Sequence, residues 1–161
     1  MADETELRDA AVLLWEEARR QLERQEADLD SLKTRALATL SVAALVAGFF
    51  GSRVPKHPSA LVTGFVVAAL TLFAVSAALA VWVLLPRREG WHFAHFTRGW
   101  TERLDALTLT PFTLAYNLAE HFEQYRIANK AKLEHLQMAF LIACLLVGLQ
   151  VVVWGVATVW A

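Results

Sequence analysis

The chain has 161 residues, of which 57% are hydrophobic and only 19% are charged, and its formal net charge is −1. This near-neutral balance gives no indication of a nucleic-acid partner, which would favour a basic surface. The single cysteine, Cys144, excludes an intrachain disulfide, and its place inside an apolar run predicts a small buried hydrophobic residue.

Residues 4–35 predict an amphipathic helix that is exposed to water on one face. No glycine or proline interrupts them, and charged residues cover the polar face. The apolar face suits packing against another helix, so we expect a cytosolic stalk. The alternative, a helix lying on a membrane surface, is disfavoured by its acidic balance. The apolar face of the helix is a stripe that consists of Leu7, Ala11, Leu14, Ala18, Leu22, Gln25, Leu29, Leu32 and Ala36.

The first apolar window, residues 36–54, continues directly from this stalk and predicts a first transmembrane helix. Only seven of the 15 residues at 36–50 are Leu, Val or Phe, so membrane insertion of this window needs a partner helix. Ala43, Ala47 and Gly51 form a row of small residues, which lets helix backbones approach closely in lipid.

A turn at 51–60 with two prolines precedes the second window, residues 61–85, which contains no charge. Fourteen of these 25 residues are Leu, Val or Phe, and they favour insertion by about −4 to −8 kcal/mol. The window is long enough to span a bilayer. Gly64 and Ala68 give it a small-residue row of its own.

Residues 86–135 begin with arginines mixed with aromatic side chains, which is typical of a membrane interface. One interpretation is that these arginines bind a phosphate-bearing ligand from the cytoplasmic side. The other, which the pattern favours, is that they fix topology and contact lipid headgroups. His92 and His95 lack further ligands nearby, so no metal site is predicted. The arginines are Arg87, Arg88, Arg98 and Arg103.

Thr110 and Pro111 predict the start of a long helix, with the threonine as N-cap. No breaker follows before Gly148, so the helix runs into the third window, residues 136–161, with two tryptophans near its far end. We expect its lateral stripe to pack on the stalk. The stripe consists of Leu114, Leu118, Phe122, Tyr125, Asn129, Leu133 and Leu136.

The distribution of Lys and Arg predicts the orientation in the membrane. Residues 1–35 carry six, the turn at 51–60 carries two, residues 86–135 carry seven, and the tail carries none. The positive-inside rule then places the N-terminus and residues 86–135 in the cytoplasm, and the C-terminus outside.

Polar side chains inside the spans predict either interhelical hydrogen bonds, which we favour, or the lining of a pore in an oligomer. Gln150 is the sharpest case, because an amide deep in a span needs a partner. The absence of charge within residues 36–50, 61–85 and 136–161 disfavours a pump or proton relay. The residues are Ser41, Thr71, Ser76, Gln137 and Gln150.

Three short stretches carry a family resemblance: residues 32–36 (LKTRA), residues 84–87 (LLPR) and residues 130–133 (KAKL). Each flanks a predicted span. This layout resembles the Pycsar effector transmembrane family and the SLATT-like small bacterial membrane effectors. The resemblance implies an inner-membrane protein that stays silent until a cyclase makes a cyclic pyrimidine nucleotide, and then impairs membrane integrity. No separate nucleotide-binding domain is evident in the sequence.

The sequence therefore predicts an all-α membrane protein with three transmembrane helices, two of which extend into a cytosolic helical stalk. Enzymatic motifs are absent, so we predict no catalytic residue and no cofactor, apart from a cyclic pyrimidine nucleotide as an activating ligand. The lipid bilayer and further copies of the chain are the expected partners. The alternative function is a membrane scaffold or accessory subunit whose stalk docks a cytosolic protein.

Overall fold

The computed structural model describes residues 4–85, 91 and 111–160. Three α-helices make up nearly all of them: α1 (Glu4–Gly51), α2 (Ala60–Leu84) and α3 (Pro111–Val159). Within these ranges there is no strand, and each helix is long and apolar enough to cross a membrane. The predicted all-α membrane fold is confirmed.

The chain divides into two compact units. The polar unit comprises residues 1–29 and 87–133, and the apolar unit comprises residues 30–86 and 134–161. Helices α1 and α3 each contribute one part to either unit, whereas α2 belongs wholly to the apolar unit.

Helix α1 runs for 48 residues without a break because its sequence contains no proline and no glycine before Gly48. The predicted stripe is buried at Leu22, Leu29, Leu32 and Ala36. Leu14, by contrast, is 57% exposed, so the stripe does not extend its burial to that turn. The side chains of the two earlier stripe residues, Leu7 and Ala11, lie outside the described residues.

The connection between α1 and α2 is the short turn that the two prolines predict. Ser59 is the N-cap of α2, and its hydroxyl accepts a hydrogen bond of 3.3 Å from the Val62 amide. The side chain of Arg53 lies 4.6 Å from the centre of the Phe49 ring, a cation–π contact at the end of α1. Val46 and Phe50 of α1 and Phe65 and Val66 of α2 pack around one cluster, so the two helices form a helical hairpin.

Helix α3 is described from Pro111 and continues for 49 residues. Its predicted stripe is buried at Leu118, Phe122, Asn129, Leu133 and Leu136, and half-buried at Tyr125. The predicted N-cap, Thr110, and the side chain of Leu114 lie outside the described residues.

The core of the apolar unit forms where all three helices meet. Ala69 from α2 packs with Trp154 and Ala157 from α3, and α1 supplies Val46 and Phe50 at the edge of this cluster. The small side chain at position 69, which is fully buried, leaves room for the large indole beside it. The remaining contributors are Val54, Phe65, Val66 and Val153.

Candidate functional site in the apolar unit

The amide of Gln150 is the most deeply placed polar group of the apolar unit, with 0% of the residue exposed. Its Nε2 donates to the carbonyl oxygen of Ala43 in α1 at 3.5 Å, which is the long limit for such a bond. Its Oε1 is buried and has no hydrogen-bond partner among the described residues. Gln150 therefore connects α3 to α1 while one half of its amide stays unsatisfied.

Trp154 lies one helical turn beyond Gln150 and is 1% exposed. Its ring stacks on Phe50 of α1, with ring centres 6.3 Å apart and planes inclined by 11°. The indole edge also approaches Gly51, where an added Cβ would lie 4.0 Å from Cη2. The buried Nε1 has no hydrogen-bond partner in the described part of the chain.

These contacts define the seam, the contact line between α1 and α3 formed by Ala43, Phe50, Gln150 and Trp154. Residue numbers rise together on both helices along it, so within the apolar unit α1 and α3 run parallel. Thr39 and Cys144 continue the same line, with 3.8 Å between Oγ1 and Sγ. Cys144, expected to be buried, is half-buried at this position.

The rows of small residues named from the sequence separate into two surfaces. Ala43 is 1% exposed and Ala47 half-buried, while Gly51 is exposed next to the Trp154 indole. Gly64 and Ala68 on α2 are both exposed, and an added Cβ at position 64 would meet nothing within 4 Å. The α1 row thus reaches into the seam, and the α2 row lies on an open face.

The predicted polar residues of the spans differ in burial. Ser41, Thr71 and Gln137 are exposed, whereas Ser76 is buried at 2%. Each of the three hydroxyls donates a hydrogen bond of 2.9–3.0 Å to a carbonyl oxygen of its own helix: Ser41 to Leu37, Thr71 to Val67 and Ser76 to Phe73. Each hydroxyl is thereby satisfied locally, unlike the amide of Gln150.

The polar unit contains a half-buried polar contact between α1 and α3. Gln25 Nε2 donates to the carbonyl oxygen of Arg126 at 3.1 Å, and Asn129 is fully buried nearby along α3. The Gln25 Oε1 and Trp15 Nε1 atoms are buried without a partner among the described residues. The sequence placed Gln25 and Asn129 in apolar stripes without signalling the polar contacts.

Glu123 and Arg126 form an ion pair on the partly exposed side of α3 in the polar unit. Arg126 Nε donates to Glu123 Oε2 at 2.7 Å, and a second contact joins Nη2 to Oε1. This hydrogen bonding lowers the pKa of the Glu123 carboxyl below its ordinary value and raises the pKa of Arg126. Both groups therefore stay charged over a wide pH range.

The arginines predicted to bind a phosphate-bearing ligand, Arg87, Arg88, Arg98 and Arg103, lie outside the described residues. So do His92 and His95. In the part of the chain that the structure describes, no group of three or more His, Cys, Asp or Glu side chains is arranged to hold a metal.

Trp154 is one of the two tryptophans near the far end of the third window, and the sequence assigned it no role in helix packing. A tryptophan near the end of an apolar window fits both a membrane interface and a helix–helix core. Its spacing of four from Gln150 was the available signal, because residues at i and i+4 share a helix face. The fold and this site define a small α-helical membrane protein with a buried polar contact between two spans.

The chain belongs to the family described as the Pycsar effector protein domain, whose model matches residues 17–161. The match extends through both units and confirms the family to which the sequence motifs pointed. No curated protein and no solved structure matches the chain significantly. Family and fold together identify a membrane protein of antiviral defence, an effector of an anti-phage cyclic-nucleotide system from an effector-type family that is non-enzymatic.

Proposed function

We propose that this chain impairs the integrity of the bacterial inner membrane when a cyclic pyrimidine nucleotide signals infection. The observation that carries the proposal is the family match over residues 17–161, which includes α2, α3 and α1 from residue 17 onward. In the part of the chain that the structure describes, nearly all residues belong to the three apolar spans and to the helices leading into them, which supports the lipid bilayer as the target.

The nucleotide signal acts on the polar unit, and α1 and α3 pass it on. Each of these helices is unbroken and contributes residues to both units. A rearrangement of the polar unit therefore reaches the apolar unit through two continuous backbones, without a flexible linker. The polar unit is cytoplasmic in this proposal, with the N-terminus inside and the C-terminus outside.

Arg87, Arg88, Arg98 and Arg103 are the proposed ligand-binding residues. A guanidinium donates paired hydrogen bonds to phosphate oxygens and keeps its charge at any physiological pH. Four such side chains in the segment that follows α2 supply the chemistry that a cyclic phosphate requires.

The active form is a homo-oligomer in this proposal. Gly64 and Ala68 support it, since they leave an open, exposed strip on α2 to which a second copy can come close. Self-association of spans in lipid depends on such close packing rather than on the hydrophobic effect.

The test uses the full chain in sealed proteoliposomes with a potassium gradient and a potential-sensitive dye. We expect cyclic CMP or cyclic UMP to collapse the potential, and cyclic AMP to have a much smaller effect. Replacing the four arginines by alanine should abolish the response, whereas Arg20→Ala, a change at an exposed arginine of the polar unit, should preserve it.

A stable potential under both pyrimidine nucleotides would refute the proposal. Harmless overexpression together with a stable co-purifying protein would instead support the scaffold alternative. Loss of response in Arg20→Ala as well would show that the arginine segment has no special role in ligand binding.

A further inference from the structure

The seam between α1 and α3 closes the apolar unit with polar atoms that it does not fully satisfy. Gln150 reaches Ala43 only through a 3.5 Å hydrogen bond, and its Oε1 has no partner among the described residues. One turn away, the same holds for Nε1 of Trp154. The closed seam thus contains one orphaned acceptor and one orphaned donor.

Such atoms are costly in this environment. Both atoms are buried within the apolar unit, so each keeps an unmet hydrogen bond, which is unfavourable where water does not reach. If α3 moves away from α1 at this level, water can reach both atoms and satisfy them. The two side chains therefore lower the free energy of an open, hydrated seam relative to the closed one.

Ser76 shows that a buried polar group in this unit need not have that effect. It is nearly as buried as Gln150, but its hydroxyl donates to the Phe73 carbonyl at 2.9 Å within its own helix. Water that entered an opened unit would therefore supply no hydrogen bond that the Ser76 hydroxyl lacks. Within the apolar unit, the buried side-chain atoms without a partner among the described residues are the two at the seam.

We propose that Ala43, Gln150 and Trp154 form a water gate. The gate is closed in this structure, and it opens when α3 separates from α1, so that Gln150 faces a hydrated path for water and small ions. The inference rests on the proposed function, since it names the part of the apolar unit that leaks, but it does not depend on which ligand opens the gate.

The gate is tested by forcing it open without any ligand. Ala43 is 1% exposed against Gln150, so Ala43→Leu overpacks the seam. Overpacking a core shifts such an equilibrium by about tenfold or more, so we expect a leak at least that much above wild type with no nucleotide added. The matched control is Ala44→Leu, the same change one residue further on α1 at an exposed position, which should remain silent.

Cys144 provides an independent readout because it is the only thiol and lies on the seam, 3.8 Å from Thr39. A charged, membrane-impermeant methanethiosulfonate reagent should modify it about tenfold or more faster in Ala43→Leu than in wild type, since this reagent reaches the thiol only through water. Adding Gln150→Ala to Ala43→Leu returns the lost volume and should restore both silence and protection.

Several outcomes would overturn the gate. These are a silent Ala43→Leu protein, a leak without faster Cys144 modification, an equal leak from Ala44→Leu, or a leak that Gln150→Ala does not reverse. Helical content is measured for each variant, and if Ala43→Leu loses it, the smaller Ala43→Val takes its place in the same assays.

The outcome for the proposed function is separate. If cyclic CMP and cyclic UMP leave the wild type silent while Ala43→Leu leaks with an exposed Cys144, the gate stands and nucleotide activation fails. If the wild type responds to nucleotide and Ala43→Leu shows no leak in the absence of nucleotide, nucleotide activation stands and the gate fails.

Discussion

Replacing Gln150 by leucine should stabilise the folded chain, although it removes the hydrogen bond to Ala43. That bond is 3.5 Å long, and interhelical hydrogen bonds in membranes contribute about 0.6 kcal/mol on average. The orphaned Oε1 costs more, about 1–3 kcal/mol for a buried unsatisfied group. Leucine has a similar volume and leaves little cavity. The balance is a gain of about 0.4–2.4 kcal/mol, a factor of ~2–50 in the ratio of folded to unfolded protein.

The measurement is unfolding of the full chain in mixed micelles by added sodium dodecyl sulfate, followed by circular dichroism. Gln150→Ala serves as the control, because it removes the same amide but leaves a cavity that costs about 2–5 kcal/mol relative to leucine. A leucine variant less stable than wild type by ~1 kcal/mol or more would refute the reasoning, since it would mean that Oε1 is satisfied in the folded state.

Three further predictions concern other parts of the molecule. Leu22→Ala should destabilise the chain by about 2–5 kcal/mol in the same unfolding assay, because Leu22 is 1% exposed. Leu13→Ala, at a residue that is 65% exposed, should change the free energy of unfolding by less than ~0.5 kcal/mol. If the two alanine variants were equally destabilised, the assigned burial of Leu22 would be wrong. Ser59→Ala should cost about 1 kcal/mol through loss of the α2 N-cap, and Ser59→Thr, which keeps the hydroxyl, should recover most of it. Glu123→Gln should lower the thermal midpoint at neutral pH but not in acid. Because pairing with Arg126 lowers the pKa of Glu123, the pair stabilises the fold above the ordinary carboxyl pKa, and this contribution is lost as the pH falls through the lowered pKa. If the midpoints of wild type and variant differ equally at both pH values, the pair contributes nothing.

The helices were predictable because strong local rules apply to them. Glycine and proline stay out of α1 as far as residue 47, which predicts that the helix continues without a break from the stalk into the first window. The stripe from Leu22 to Ala36 was predictable from spacing, but the exposure of Leu14 was not, since it depends on how far the partner helix reaches. The sequence predicted only a turn over residues 51–60, and the role of Ser59 as the N-cap of α2 was missed, although serine is a typical N-cap residue.

The sequence predicted that a polar residue of the spans needs a hydrogen bond, but it did not predict which residue accepts that bond. A general rule, that an amide in a span needs a hydrogen bond, singled out Gln150 from the sequence. Its actual acceptor lies 107 residues away in the chain, at Ala43, and only the packing of α1 against α3 selects that carbonyl. The same holds for Trp154, whose burial depends on Phe50 and on the small residue at position 69.

The length of α2 has a consequence for the choice of lipid. Its 25 uncharged residues extend about 37 Å at 1.5 Å per residue, against a hydrocarbon core of about 30 Å. Such hydrophobic mismatch is relieved by tilting the helix or by thickening the bilayer around it. Because α2 packs on Trp154 through Ala69, a tilt of α2 that follows from the acyl-chain length also acts on the contact between α1 and α3.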